Sequence, residues 1–139
     1  MHNFKQMTGD EIVDFLVANI HEFTDDVDSG FPRNIVLGLA SGHLVIRATE
    51  CAFAVVARNC GVSFRPPFAE LVFLYTDREA RGQGEAQTLV SQIKEDPTIG
   101  TPIKLLCCGV PRRRFFEHQG FRVIDEEDES PFEMWYGLP

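Results

Sequence analysis

The stretch YTDREARGQGEAQTLVSQIKED, residues 75–96, joins an apolar strand pattern to an amphipathic helix pattern through two glycines a residue apart. A simple turn needs one glycine, so the pair Gly82 and Gly84 indicates a very close approach of the backbone to something else. Amides at a helix start lack partners and carry the positive end of the helix dipole. We therefore expect an anion-binding loop with Arg81 at its rim; a ligand-free turn is the alternative.

Two nucleotide-binding loops are excluded by spacing. A Walker A loop requires GxxxxGK[ST], which the chain lacks, and a dinucleotide fingerprint requires GxGxxG, whereas this loop reads GxGxA. A phosphate-bearing ligand of another kind and a ligand-free turn are the remaining interpretations.

The pattern around the loop predicts one α/β domain over residues 1–139. Thr8 and Glu11 form a capping box that starts the first helix, and a short second helix follows. Three strands come next, and strands then alternate with helices, which is typical of a layered domain with a mixed sheet. The run from Leu71 to Leu74 has no polar alternation, so we expect that strand to be covered on both faces.

Composition narrows the function. The net charge of −8 argues against nucleic-acid binding and is compatible with a cationic small-molecule or peptide partner, or with solubility alone. The four cysteines are not spaced for zinc, so we expect no metal and reduced thiols in a cytoplasmic protein. Neither a signal peptide nor a membrane span is predicted.

Two segments resemble the GNAT superfamily of N-acetyltransferases. RGQGEA is similar to the coenzyme A motif R/Q-x-x-G-x-G/A, with Arg81, Gly84 and Ala86 at the defining positions. RRRFFEHQGFRVID, residues 112–125, resembles the family's late helix and next strand, including its F-x-x-x-G-F ending. The resemblance implies a GNAT-like mixed central sheet flanked by helices.

The resemblance also implies acetyl-coenzyme A as co-substrate. In the family pattern, main-chain groups of Leu74, Tyr75 and Thr76 pair with the pantetheine like an added strand. The pyrophosphate is held by the loop residues Arg81, Gly82, Gln83, Gly84, Glu85 and Ala86.

Three consecutive arginines support an anionic ligand. Arg112, Arg113 and Arg114 fall in the first turn of the predicted helix after Pro111, where cations oppose the helix dipole. Coenzyme phosphates would compensate, and we assign Arg113 to that contact. Pairing with the acidic loop at residues 125–129, or exposure to water, is the alternative.

Glu70 is the candidate general base. It stands in an apolar strand, where a charge is costly unless a polar cleft opens beside it. By resemblance, its position corresponds to the glutamate base of the histone-acetylating branch. A strand-end glutamate in solvent or in a salt bridge is the alternative.

The usual proton donor is missing. The family's late helix commonly carries N-x-x-A-x-x-F-Y, whose tyrosine protonates the thiolate, and Phe116 occupies that position here. We expect Phe116 to face the coenzyme sulfur, with water, Cys108, His118 or Tyr75 supplying the proton.

Two functions follow. The first is an acetyl-coenzyme A-dependent N-acetyltransferase acting on a primary amine of a small molecule or peptide, with a homodimer left open. The second is a catalytically weak or inactive coenzyme A-binding regulatory module of the same fold.

Overall fold

The computed structural model describes residues 2–19, 31–61, 67–125, 129 and 131–138. Four helices flank one sheet: α1 Gly9–Ala18, α2 Phe31–Ser41, α3 Glu85–Glu95 and α4 Val110–His118. The six strands are β1 Leu44–Ala48, β2 Ala52–Cys60, β3 Phe68–Thr76, β4 Ile103–Cys107, β5 Arg122–Val123 and β6 Phe132–Tyr136. Short 3-10 turns cover Phe4–Gln6 and Arg78–Ala80.

The sheet is mixed, in the order β1-β2-β3-β4-β6-β5. Among the described strands, only β3 and β4 pair in parallel, and α3 is the crossover between them. The other neighbours pair antiparallel. The predicted order of helices and strands is confirmed.

Each face of the sheet carries its own core. One cluster packs α3 and α4 on the sheet through Leu89, Val90, Ile93 and Phe116. The other packs α1 and α2 on the opposite face of β1, β2 and β3 through residues such as Leu16 and Ile35. Burial of these apolar faces, rather than helix propensity, holds the layers together.

Local signals place the helix ends. The Thr8 hydroxyl accepts a hydrogen bond from the Glu11 amide at 3.2 Å, and the Glu11 carboxylate accepts one from the Thr8 amide at 3.0 Å, so the predicted capping box is confirmed. Helix α4 begins at Val110, one residue before the predicted Pro111, because Gly109 serves as its N-cap.

The prediction that β3 is covered on both faces is wrong. Val72 is 39% exposed. Val55 pairs with Phe73 and Val56 pairs with Leu71, which leaves Val72 as an extra residue, a β-bulge, in β3. A bulge bends its strand and redirects the neighbouring side chains. The bend occurs where β3 approaches the candidate site.

Candidate active site

The central feature of the site is a separation between β3 and β4. Their parallel pairing covers Ala69–Leu71 against Ile103–Leu105 and ends there, although β3 continues to Thr76 and β4 to Cys107. The bulge at Val72 follows the last paired residue directly. The two strands therefore diverge toward their carboxyl ends and leave a gap in the sheet.

Two helices begin at the edge where the gap opens. Both β3 and β4 run toward this edge, and α3 and α4 follow them in the chain. Each helix carries a partial positive charge at its N-terminus, so both dipoles favour an anion at the same edge.

The glycine loop leads into two backbone amides that have no protein acceptor in the described part of the chain. Gly82 and Gly84 have φ values of +82° and +83°, and a Cβ built at either position would have no heavy atom within 4 Å. Gly84 is the N-cap of α3 and makes no side-chain cap. Within the described residues, the amides of Glu85 and Ala86 donate to no protein acceptor. This open cradle of amide donors fits a phosphate group.

The loop side chains are held by the protein itself. The Arg81 guanidinium donates to the Thr76 carbonyl at 3.0 Å. Gln83 is exposed and donates to the Glu79 carbonyl at 3.4 Å. The Glu85 carboxylate accepts the Thr49 hydroxyl at 2.8 Å, which directs it to the β1–β2 turn. The backbone amide of Glu85 is therefore available to an anion, while its carboxylate is bound by Thr49.

The strand predicted to pair with pantetheine borders the gap. Leu74 packs against the core beneath α3 and α4, whereas the Tyr75 ring lies on the other face among Phe4, Phe15 and Phe53. The Thr76 carbonyl is already occupied by Arg81. Pairing of this segment with a ligand stays a prediction, and Arg81 would have to share or release that carbonyl.

Of the three arginines, Arg113, which we assigned to the coenzyme, is in contact with other side chains of the protein. Arg113 lies 3.6 Å from the Glu117 carboxylate and stacks over the Phe132 ring at 4.9 Å. Arg112 and Arg114 are exposed at the start of α4. A coenzyme contact by Arg113 stays a prediction. Of the acidic loop proposed as an alternative partner, Glu126, Glu127 and Asp128 lie outside the described residues.

Glu70 lies one residue before the gap. Its side chain is 33% exposed and projects from the face opposite α3 and α4. Lys104, its register partner on β4, has its Nζ 3.9 Å from Glu70 Oε1. In the described part of the chain, no donor comes within hydrogen-bond distance of the carboxylate. The ion pair with Lys104 agrees with the salt-bridge alternative, and the role of Glu70 as the base stays a prediction.

Phe116 is packed in the core beneath the sheet. It is 8% exposed and contacts the rings of Phe115 and Phe121 at 5.0 and 5.7 Å. Its contact with a coenzyme sulfur stays a prediction. Among the substitute donors, Cys108 is exposed at the end of β4 beside the gap, and His118 is exposed on α4.

The cysteines are free thiols, as predicted. Burial raises the pKa of the Cys60 thiol, and the Glu70 carboxylate raises it further. No three side chains of the metal-ligating types converge anywhere in the described ranges. None of the described helices is long and apolar enough to cross a bilayer.

Solved acetyltransferases resemble the structure along nearly the whole chain. A proposed acetyltransferase of the GNAT family from Desulfovibrio desulfuricans has a TM-score of 0.63 at 15% identity, covering 96% of this chain and 94% of that one. A chain of the NatB acetyltransferase complex, bound to a bisubstrate inhibitor, scores 0.66 at 13% identity, with 96% and 89% covered. The chain has the GNAT fold. The fold predicted from the sequence is therefore confirmed.

A third similar structure contains coenzyme A. PaiA N-acetyltransferase from Thermoplasma acidophilum, in complex with coenzyme A, has a TM-score of 0.56 at 17% identity, covering 98% of this chain and 84% of that one. No protein-family model and no curated protein matches the chain by sequence.

The sequence did not point to the side chains around Glu70. Lys104 and Glu133 form an ion pair at 3.6 Å, and Trp135 donates to Glu133 at 3.1 Å. These residues come together because β4 lies between β3 and β6. The only available signal was a charged residue within each of two apolar strand patterns.

Proposed function

We propose that the chain is an acetyl-coenzyme A-dependent N-acetyltransferase that transfers the acetyl group to a primary amine of a small molecule or peptide. The observation that carries the proposal is the β3–β4 gap, which opens beside the glycine loop and the start of α3, where the Glu85 and Ala86 amides have no acceptor in the described part of the chain. An amide-bearing chain can pair along such a strand edge while its phosphates lie on the loop.

Acetyl-coenzyme A, when bound, supplies an activated acetyl group. The residues of the chain do the rest: amides from Gly82 to Ala86 hold the phosphates, and Glu70 accepts the proton of the ammonium. The neutral amine then forms the new bond to the acetyl carbon, and the bond to the thiolate breaks. The nitrogen loses its second proton as the amide forms, and water or Cys108 passes that proton to the thiolate.

A coenzyme A-binding regulatory module is the second candidate. One observation favours it: Phe116, which takes the place of a hydroxyl-bearing residue, is buried among phenylalanines and carries no acidic group. In that case the fold would keep its ligand and lose efficient turnover.

Two measurements separate the candidates. Acetyl-coenzyme A should raise the melting temperature, and a panel of primary amines should increase release of coenzyme A thiol. A melting shift without amine-dependent release would support the regulatory module. Folded protein that shows no shift at millimolar acetyl-coenzyme A would contradict both.

A further inference from the structure

One face of the sheet is left uncovered by the described helices at β4 and β6. Helices α1 and α2 cover β1, β2 and the end of β3 that contains Phe73 and Tyr75. No described helix covers the same face of β4 and β6. There the side chains of three strands form what we call the open-face cluster. Its members are Phe68, Glu70, Lys104, Glu133 and Trp135.

The cluster has one cation for two carboxylates. Lys104 Nζ lies 3.9 Å from Glu70 Oε1 and 3.6 Å from Glu133 Oε1, both beyond normal hydrogen-bond length. Glu133 receives the Trp135 indole, whereas the Glu70 carboxylate receives no hydrogen bond from the described residues. Arg122, across from Trp135 on the outer strand, forms no ion pair with the cluster. One ammonium facing two carboxylates leaves a negative charge unbalanced, so the cluster is complementary to one additional cation.

Exposed apolar residues follow the charged ones along both strands. Val72 is 39% exposed and Leu106 is 57% exposed, each two residues beyond a charged member of the cluster on its strand. Both stand where β3 and β4 separate. Phe68 and Trp135 add an edge-to-face aromatic pair at 5.1 Å. Exposed apolar side chains grouped beside a cleft mark a binding surface.

We propose that the open-face cluster is the acceptor site and that it selects a primary amine with one positive charge and an apolar or aromatic substituent. The ammonium lies against the Glu70 and Glu133 carboxylates, and the substituent lies on Val72 and Leu106. This deepens the proposed function and rests on it for the transfer step, although binding of the amine does not require the coenzyme.

Lys104 supplies the selectivity. Its ammonium stands between the two carboxylates, so a second positive charge on the acceptor would be repelled. A polyamine is therefore disfavoured although the protein is acidic overall. The proton relay is unchanged: Glu70 takes one proton from the bound ammonium, which then reacts as the neutral amine.

The cluster contains its own reporter. Trp135 is the only tryptophan in the chain, so fluorescence excited at wavelengths that tyrosine does not absorb observes this site alone. We would titrate phenethylamine and spermidine at low ionic strength and without coenzyme. Phenethylamine should give a saturable change in fluorescence, and spermidine should bind about tenfold more weakly or worse.

Three variants test the assignment. Leu106→Ser should weaken phenethylamine binding about fivefold to tenfold. Leu37→Ser, on α2, is the matched control with 53% exposure, and it should leave binding unchanged. Lys104→Gln should raise the affinity for spermidine relative to phenethylamine about fivefold.

The outcomes separate this inference from the proposed function. A protein that acetylates spermidine but shows no saturable change with phenethylamine would overturn the substrate class and keep the transferase. Phenethylamine binding without thiol release in the presence of acetyl-coenzyme A would support the site and overturn the transferase. Equal losses in Leu106→Ser and Leu37→Ser would overturn the location.

Discussion

The amide cradle can be tested with one substitution and a matched control. Gly84→Glu places a carboxylate in the space that we assign to a phosphate. Gly84 has a φ of +83°, so any side chain there is strained by about 1–2 kcal/mol. Because a Cβ at this position has no heavy atom within 4 Å, no steric clash with the protein adds to that strain. The new charge at the start of α3 would recover about 0.3–1 kcal/mol.

Gly100→Glu is the control. Gly100 has a φ of +78° and equally open surroundings, but it precedes β4, at the edge of the sheet away from the gap. Both variants should therefore fold. For a chain of 139 residues, a cost of 1–2 kcal/mol lowers the melting temperature by about 3–7 °C.

The assay is thermal unfolding with and without acetyl-coenzyme A. At a hundredfold excess over its Kd, the ligand stabilises by about 2.7 kcal/mol, which corresponds to about 9 °C for this chain. Wild type and Gly100→Glu should show this shift, and Gly84→Glu should not. A full shift in Gly84→Glu would refute the cradle. Loss of the shift in both variants would show that strain, rather than the carboxylate, removes binding.

Substitutions of Glu70, Phe116 and Asp96 test the candidate base, the missing proton donor and one ion pair that stabilises the fold. Glu70→Gln should lower turnover about 10²–10⁴-fold with unchanged coenzyme binding, and a loss below about threefold at every pH would remove Glu70 from the mechanism. Phe116→Tyr should be neutral or mildly harmful in turnover assays, because a buried hydroxyl without a partner costs about 1–3 kcal/mol; a tenfold gain would contradict this. Hydrogen bonds from Thr98 and Arg47 lower the pKa of Asp96 from 3.8 to about 2, so the ionised form stabilises the fold above about pH 4 and this contribution is lost toward pH 2. Urea unfolding should show Asp96→Asn less stable by at most about 2 kcal/mol at pH 7, with the difference vanishing near pH 2.

The order of elements could be predicted from local signals. The capping box of Thr8 and Glu11 and the glycine-bearing start of α3 each depend on residues close in sequence, and these are present in the structure. The bulge could not be predicted, because it is a mismatch in register between β2 and β3. A run such as Leu71–Leu74 looks the same whether its strand is regular or bulged.

The candidate site also has one part that could be predicted from local sequence and one part that could not. The glycine loop is contiguous in sequence, and its pattern alone indicated an anion site. The partners of Glu70 are contributed by β4 and β6, so their identity depends on which strands become neighbours. Lys104 and Glu133 therefore became visible only when the sheet order was known.

The short junction between β3 and β4 also bears on how the protein opens in solution. In the described sheet, three paired positions of β3 and β4 join the β1–β2–β3 side to the β4–β6–β5 side, and the described core that spans both lies on one face only. The two sides are thus suited to be separate cooperative units, each with its own free energy of opening in native-state hydrogen exchange. A ligand lying in the gap would bridge them from the uncovered edge. Exchange rates of amides on the two sides should then converge, so that the molecule behaves as one unit when its cleft is filled and as two when it is empty.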